Sequence, residues 1–365
     1  RILCAAALAL GSFLSAGERT RIALDFEKPG HEIPKALYGV FFEDINQAAD
    51  GGIYPELVSN RGFDWETDEW KPGPFPHQDL SSWSEDFRGG AMARISRQYG
   101  KPVHPATARH LRVEVFGAGT GCGIRNDGFG GMAVRQGEKY DLSFYARGLD
   151  GYKGGISVLL EDANGEELAS FRIENADMSV SEPSKNPNEK ILPDWKRFNA
   201  VLVPSKTTAN AHLSLLLDKP GIVEFEQVSL FPQDTWKGRR NGLRKDMVQM
   251  LADLKPGVFR FPGGCIAEGC DFGNWYDWKR SVGDGSLESR PTNWNLWGYW
   301  QTHGLGYFEY FQLCEDLGAE PLPIVIAGMT CQFRQEEYAP MDSMDYFVQN
   351  ILDLIEFANG PADSK

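Results

Sequence analysis

The stretch Val258-Phe259-Arg260-Phe261-Pro262-Gly263-Gly264-Cys265 decides how this chain is read. Its apolar run halts at a Pro-Gly-Gly turn, the pattern of a buried strand whose end opens onto a site. The paired glycines allow positive φ and let the backbone approach whatever lies above the strand end. Arg260 sharpens the reading, because a guanidinium at the end of an apolar strand needs an anionic or polyhydroxyl partner. Two roles stay open for it: holding a ligand, or tying down a loop through a neighbouring carboxylate.

Working outward, Leu243, Met247, Met250, Leu251 and Leu254 form a stripe between Asn241-Gly242 and Pro256-Gly257, which predicts a helix leading into the strand. Downstream, Phe308, Phe311, Cys314 and Leu317 predict a second helix closed at Gly318. A buried strand is predicted over 322–326, then a third helix carrying Met344, Phe347, Val348, Ile351, Leu354, Ile355 and Ala358. Alternating strands and helices imply a parallel β/α architecture. Toward the N-terminus, 37–42 is nearly all apolar and predicts a strand covered on both faces. It runs into Glu43-Asp44-Ile45-Asn46 and Asp50-Gly51-Gly52, either a polar site or an ordinary turn cluster. A short helix over 53–61 and a half-exposed strand over 21–26 complete this region.

Between about Trp83 and Pro232 the texture changes to short alternating runs. Tyr140, Leu142, Phe144 and Ala146, then Ile156, Val158 and Leu160, then Leu213, Leu215 and Leu217 are separated by turns such as Asn164-Gly165 and Pro220-Gly221 at hairpin spacing. This predicts an inserted antiparallel β-sandwich, with 181–192 as a polar surface loop. Either a sugar-binding module or a silent structural insert fits.

Half of the 10 tryptophans (Trp275, Trp278, Trp294, Trp297 and Trp300) fall in one connection between the organising strand and the next helix. Compact domains seldom keep loops longer than about 15 residues unless they serve a function. In a β/α barrel this connection would sit on the catalytic face, where aromatic faces suit sugar rings. Rings packed together merely to hold a long loop are the alternative.

The 365 residues allow two or three domains, and 37 basic against 51 acidic residues give a net charge of -14. That charge repels polyanions, so nucleic acid is not expected as a partner. The six histidines show no metal-ligand spacing, and neither a metal nor a cofactor is expected. Residues 1–17, with Arg1, an apolar run and Ser15-Ala16-Gly17, have the features of a secretory signal peptide and are too short to span a bilayer. A secreted or periplasmic location is expected, with no membrane partner. Cys4 lies in that segment, and Cys122, Cys265, Cys270, Cys314 and Cys331 leave an odd number, so at least one thiol should be free or paired elsewhere.

Several segments together closely resemble the family 51 glycoside hydrolases, most of which are α-L-arabinofuranosidases. They are Leu37-Tyr38-Gly39-Val40-Phe41-Phe42-Glu43-Asp44-Ile45-Asn46, Ile53-Tyr54-Pro55-Glu56-Leu57-Val58-Ser59-Asn60-Arg61-Gly62-Phe63, 259–269, and Gly304-Leu305-Gly306-Tyr307-Phe308-Glu309-Tyr310. The insert is similar to carbohydrate-binding modules. The resemblance implies an α/β fold: an incomplete (β/α)8 TIM barrel of about three units, interrupted by a jelly-roll-like sandwich. The expected division is 1–17, 18–82 (first β/α unit), 83–235 (insert) and 236–365 (further units), cut short before the fourth strand.

It also implies hydrolysis with retention, which needs two carboxyl groups about 5 Å apart. In relatives the acid/base follows Asn at the end of the fourth barrel strand, and the nucleophile lies near the seventh. Both glutamates are therefore expected beyond Lys365, and Asn188-Glu189 in the insert is a decoy. The substrate-holding residues that carry over are Glu43, Arg260, Gly264 and Cys265, with Trp278 and Arg290 in the aromatic loop. Several relatives have Asn at the Cys265 position, which weakens direct sugar contact there. Glu268 and Asp271 lie inside the loop and not on a strand end, so a carboxylate pair of either with Glu43 is the weaker reading. The expected activity is release of terminal α-L-arabinofuranosyl groups from arabinoxylan or arabinan, with the 365-residue chain inert by itself. The alternatives are a non-catalytic carbohydrate-binding protein and a relative acting on β-glucan or xylan.

Overall fold

A computed structural model describes residues 22–23, 25, 27–28, 30–65, 81–149, 151–174 and 194–361. The expected signal peptide, the 181–192 loop and Asn188-Glu189 lie outside these residues. The chain opens with strand β1 (Gly39–Phe41) and then enters eleven consecutive strands. These are β2 (Trp83–Arg88), β3 (Met92–His104), β4 (Thr107–Gly117), β5 (Gly121–Asn126), β6 (Met132–Val134), β7 (Tyr140–Leu149), β8 (Ile156–Glu161), β9 (Glu167–Ile173), β10 (Lys196–Leu202), β11 (Thr208–Leu217) and β12 (Gly221–Pro232). Helix α1 (Lys245–Leu254) leads into β13 (Val258–Phe261). The long connection follows, with short helices α2 (Gly264–Glu268) and α3 (Trp278–Val282) and a hairpin of β14 (Asn293–Asn295) and β15 (Tyr299–Gln301). Helix α4 (Tyr307–Leu317), strand β16 (Glu320–Pro323) and helix α5 (Met344–Asn359) end the described chain.

Strands β2 to β12 form two antiparallel sheets, β10-β7-β12-β4-β3 and β2-β5-β11-β8-β9, with β6 added to β11. The alternation explains the layering: Leu142, Phe144, Val158, Leu160, Leu213 and Leu215 are buried in one shared core, and their neighbours lie on the opposite sheet faces, where Ser214 and Leu216 are buried as well. Asn164-Gly165 makes the expected hairpin, with Gly165 N donating to Asp162 O. Pro220-Gly221 does not, because β11 and β12 belong to different sheets and the turn carries the chain across.

The second core surrounds a three-stranded parallel sheet in the order β1-β13-β16. Phe259 and Phe261 point to one face, where Phe261 stacks on Tyr310 with ring centroids 4.5 Å apart. Period-two alternation sends Arg260 to the other face. Helix α4 ends at Gly318 in the left-handed region (φ 62), as expected.

Several expectations are corrected. The apolar run 37–42 is not covered on both faces: β1 is an edge strand, and Leu37, Tyr38 and Phe41 are exposed. The third strand is Glu320–Pro323, not 322–326, and Leu322 is exposed. Its prolines are tolerated at a sheet edge, where the missing donors face outward. Met250 and Leu254 on α1, and Val348, Ile351 and Ile355 on α5, are exposed despite their helical spacing. Ile22, Ala23 and Asp25, the described residues of the expected first strand, form none.

No helix forms over 53–61, because its backbone groups are committed to the sandwich. Leu57 N donates to Leu230 O, and Arg61 O accepts from Val228 N. The buried Glu56 carboxylate accepts from Leu230 N, Val58 N and the Ser229 hydroxyl. Sequence propensity loses here to a strand edge that supplies partners at every other residue. Further contacts fasten the sandwich to the long connection: Thr107 Oγ1 donates to Glu288 O at 3.2 Å, and the Tyr145 hydroxyl reaches Glu288 Oε1 at 3.4 Å. Among the described residues no helix is long and apolar enough to cross a membrane.

Candidate active site

Parallel pairing of β1 with β13 sets Phe41 opposite Arg260, so the two strand ends open side by side. The turn after β13 then determines where Glu43 goes. Gly263 has φ 113, outside the range open to L side chains, and a Cβ there would collide with the Glu43 carboxyl group. The glycine is thus a seat for Glu43. Arg260 stacks its guanidinium over Phe41, 4.4 Å from the ring centroid, and its charge acts on Glu43. Gly264 leaves room beside that guanidinium, whose Nη2 lies 3.7 Å from where a Cβ would stand.

The third wall comes from the β14-β15 hairpin. Asn295 Oδ1 accepts from Trp297 N, and Gly298 takes φ 98, a tight turn that lifts Trp297 to the tip. Trp297 Nε1 donates to Glu43 Oε1 at 3.0 Å. Burial pushes the Glu43 pKa up, while the Trp297 hydrogen bond and the Arg260 charge pull it back down. Both partners favour the ionised carboxylate that a hydroxyl-rich ligand would use as acceptor.

The hairpin is held by the two other carboxylates of the Glu43 segment. Asp44 O accepts from Asn295 Nδ2 and from the Tyr299 hydroxyl, which also reaches Asp44 Oδ1 at 3.0 Å. Asp50 accepts from Thr302 N and Thr302 Oγ1, both at 2.7 Å. Burial, then the charge of Asp50, pushes Asp44 up to about 6. The acidic cluster after β1 therefore divides: Glu43 faces the site, and Asp44 and Asp50 anchor its roof.

The structure brings Glu43, Arg260, Gly264 and Cys265 together. The Cys265 thiol is pushed up to about 11, mainly by burial and then by the adjacent Cys331 and Glu43. None of the five described cysteines is in a disulfide. Trp278 belongs to the core instead: it is 5% exposed, packs 5.3 Å from Phe357, and donates to Asn350 O. Arg290 is also internal, donating to His303 O and to Glu309 Oε2 at the start of α4. Burial shifts Glu268 up, and its charge acts with that of Glu43 on Cys265, while Asp271 Oδ1 accepts from Gly273 N in a turn. The aromatic-loop expectation thus moves from Trp278 to Trp297, which is 41% exposed. Its signal was the Asn-Leu-Trp-Gly turn flanked by aromatic residues. Among the described residues no group of three or more His, Cys, Asp or Glu side chains is arranged to hold a metal.

Residues 250–365 match the family model described as the α-L-arabinofuranosidase 1 domain. The chain is 36% identical to an extracellular exo-α-L-arabinofuranosidase of Streptomyces chartreusis, over 94% of this chain and 39% of that protein. It is 36% identical to α-L-arabinofuranosidase 1 of Arabidopsis thaliana, over 92% of this chain and 46% of the relative. The solved arabinose-bound MgGH51 α-L-arabinofuranosidase superposes with a TM-score of 0.77 at 31% identity, over 93% of this chain and 51% of that one. The chain thus spans about half the length, or less, of these relatives. Fold and sequence kinship place the chain in a glycoside hydrolase family. Within that class, the chain belongs to the α-L-arabinofuranosidases of family 51.

Proposed function

We propose that this chain supplies the substrate-holding part of a secreted, retaining α-L-arabinofuranosidase that removes terminal arabinofuranosyl groups from arabinoxylan or arabinan. In this reading the three parallel strands with their helices are the first units of a β/α barrel, and the sandwich is an accessory carbohydrate-contacting module. The carrying observation is the Glu43–Arg260 pair at adjacent strand ends under Trp297. A carboxylate that only accepts and a guanidinium that only donates can together fix the hydroxyls of one furanose and thereby its anomeric carbon. The acid/base and nucleophile are not assigned to any residue here. We attribute them to sequence outside these 365 residues.

The test uses the full-length protein and an aryl α-L-arabinofuranoside. Glu43→Gln and Arg260→Ala should each lower kcat/KM by about 100-fold or more, as lost positioning of a reacting group does. Near-normal rates in both variants would remove the assignment. Specific turnover by the 365-residue chain alone would show that the catalytic pair has been misplaced.

A further inference from the structure

A second cleft, of about 300 Å³, lies between the sandwich and the long connection, and neither Glu43 nor Arg260 lines it. One wall is the outer face of the five-stranded sheet, where Arg197 and Asn199 on β10 stand opposite Tyr145 and Ser143 on β7. The facing wall includes Glu288, and Arg240 and Asn241 close one side.

Two features leave polar groups of the cleft without a partner among the described residues. Gln227 sits at the bulge of β12, between Glu226 and Ser229, in the left-handed region (φ 51). It is 5% exposed, and its Oε1 is buried with no hydrogen-bond partner. An amide held in that backbone conformation with an unmet acceptor is where a ligand donor is wanted. Arg240 forms no ion pair or hydrogen bond among the described residues, and the Asn199 and Asn241 side chains form no hydrogen bond there. Arg197 is held loosely at the wall: it lies 5.4 Å from the Tyr145 ring centroid, donates to the Tyr145 hydroxyl at 3.5 Å and pairs with Glu288 at 3.8 Å.

We propose that this cleft binds an acidic saccharide, one uronosyl unit per site. Arg240 and Arg197 receive its carboxylate, and Gln227, Asn199 and Asn241 take its hydroxyls. A free guanidinium is matched to a carboxylate, while amides donate to and accept from hydroxyls. The volume is at the small end of the ~300–1,000 Å³ range of ligand clefts, which suits a single sugar unit. The lining sets Arg61, Arg197 and Arg240 against Asp141 and Glu288, so on a chain of net charge -14 this cleft is locally cationic and favours an anion. That the ligand is a saccharide rests on the glycosidase reading; that it is anionic rests on these residues alone.

The test is calorimetric titration of the protein with xylotriose carrying one glucuronosyl branch and with unbranched xylotriose, at low salt. The acidic probe should bind at least 10-fold more tightly, and Arg240→Ala and Arg197→Ala should each remove most of that preference. Equal affinity for the two probes, no binding of either, or an unaltered preference in the Arg197→Ala/Arg240→Ala double variant would overturn the proposal. Arg240 is exposed, so unchanged circular dichroism should accompany its loss. Acidic binding in a full-length protein that cannot cleave arabinofuranosides would support the cleft and sink only the glycosidase reading.

Discussion

Trp297 Nε1 lies 3.0 Å from Glu43 Oε1 although 254 positions of sequence separate them. The indole is therefore part of the Glu43 acceptor, holding its charged form. Trp297→Phe keeps the ring and removes the donor. The Glu43 pKa should then rise further, since the hydrogen bond is among the influences that lower it. If ionised Glu43 is needed for binding, the acidic limb of the pH profile of kcat/KM in the full-length enzyme should move to higher pH. An unmoved limb would disconnect Trp297 from Glu43.

Gly263→Ala places a methyl group where the Glu43 carboxyl group sits, at a φ of 113. Displacing a substrate-holding group by about 1 Å costs on the order of 100-fold in rate. Kinetics of the full-length variant should show that loss mainly in kcat/KM. Gly264→Ala, whose Cβ meets only Arg260 Nη2 at 3.7 Å, should be much milder.

Thr302→Val deletes one of the two donors to the buried Asp50 carboxylate. An unmet buried acceptor costs about 1–3 kcal/mol, more for a charged one. A lower Tm should appear together with a higher KM, because the same hairpin carries Trp297. A change in Tm alone would mean that the roof is held elsewhere.

Glu226 is fully buried, with Oε2 accepting from Val103 N and Oε1 unpartnered. Burial first, and the charge of Asp64 next, pushes it up to about 8 from an ordinary 4.5. A carboxyl group that holds its proton more tightly when folded stabilises the fold fully below its unfolded value. That contribution fades as pH rises from about 4.5 toward 8. Glu226→Gln removes the ionisation, so Tm should exceed wild type at pH 9 and differ little at pH 5. Thermal melts across this range check the sign.

The sandwich was legible because one face of each strand is buried, which writes period two into Tyr140 to Ala146 and Leu213 to Leu217. The turn at Gly263-Gly264 and the meeting of Glu43 with Arg260 were legible because paired glycines end a strand abruptly and a guanidinium at an apolar strand end needs a partner. What failed depended on distant partners. The 53–61 segment has a helical pattern, yet Leu230 and Val228 claim its backbone. Trp278 and Trp297 lie in one aromatic-rich connection, and distant partners separate them: Asp44 and Asp50 hold the hairpin that carries Trp297, while Asn350 and Phe357 take Trp278 into the core.

Gly39 pairs with Val258 across the entire insert. A coil of that length would make closing the parallel sheet slow, since loop entropy must be lost before the contact forms. Once the sandwich is folded, its two ends return the chain to one place and the effective loop becomes short. The module inserted between β1 and β13 is then a folding prerequisite for the neighbouring sheet, and damage to its core should delay assembly of a site that none of its own strands touch.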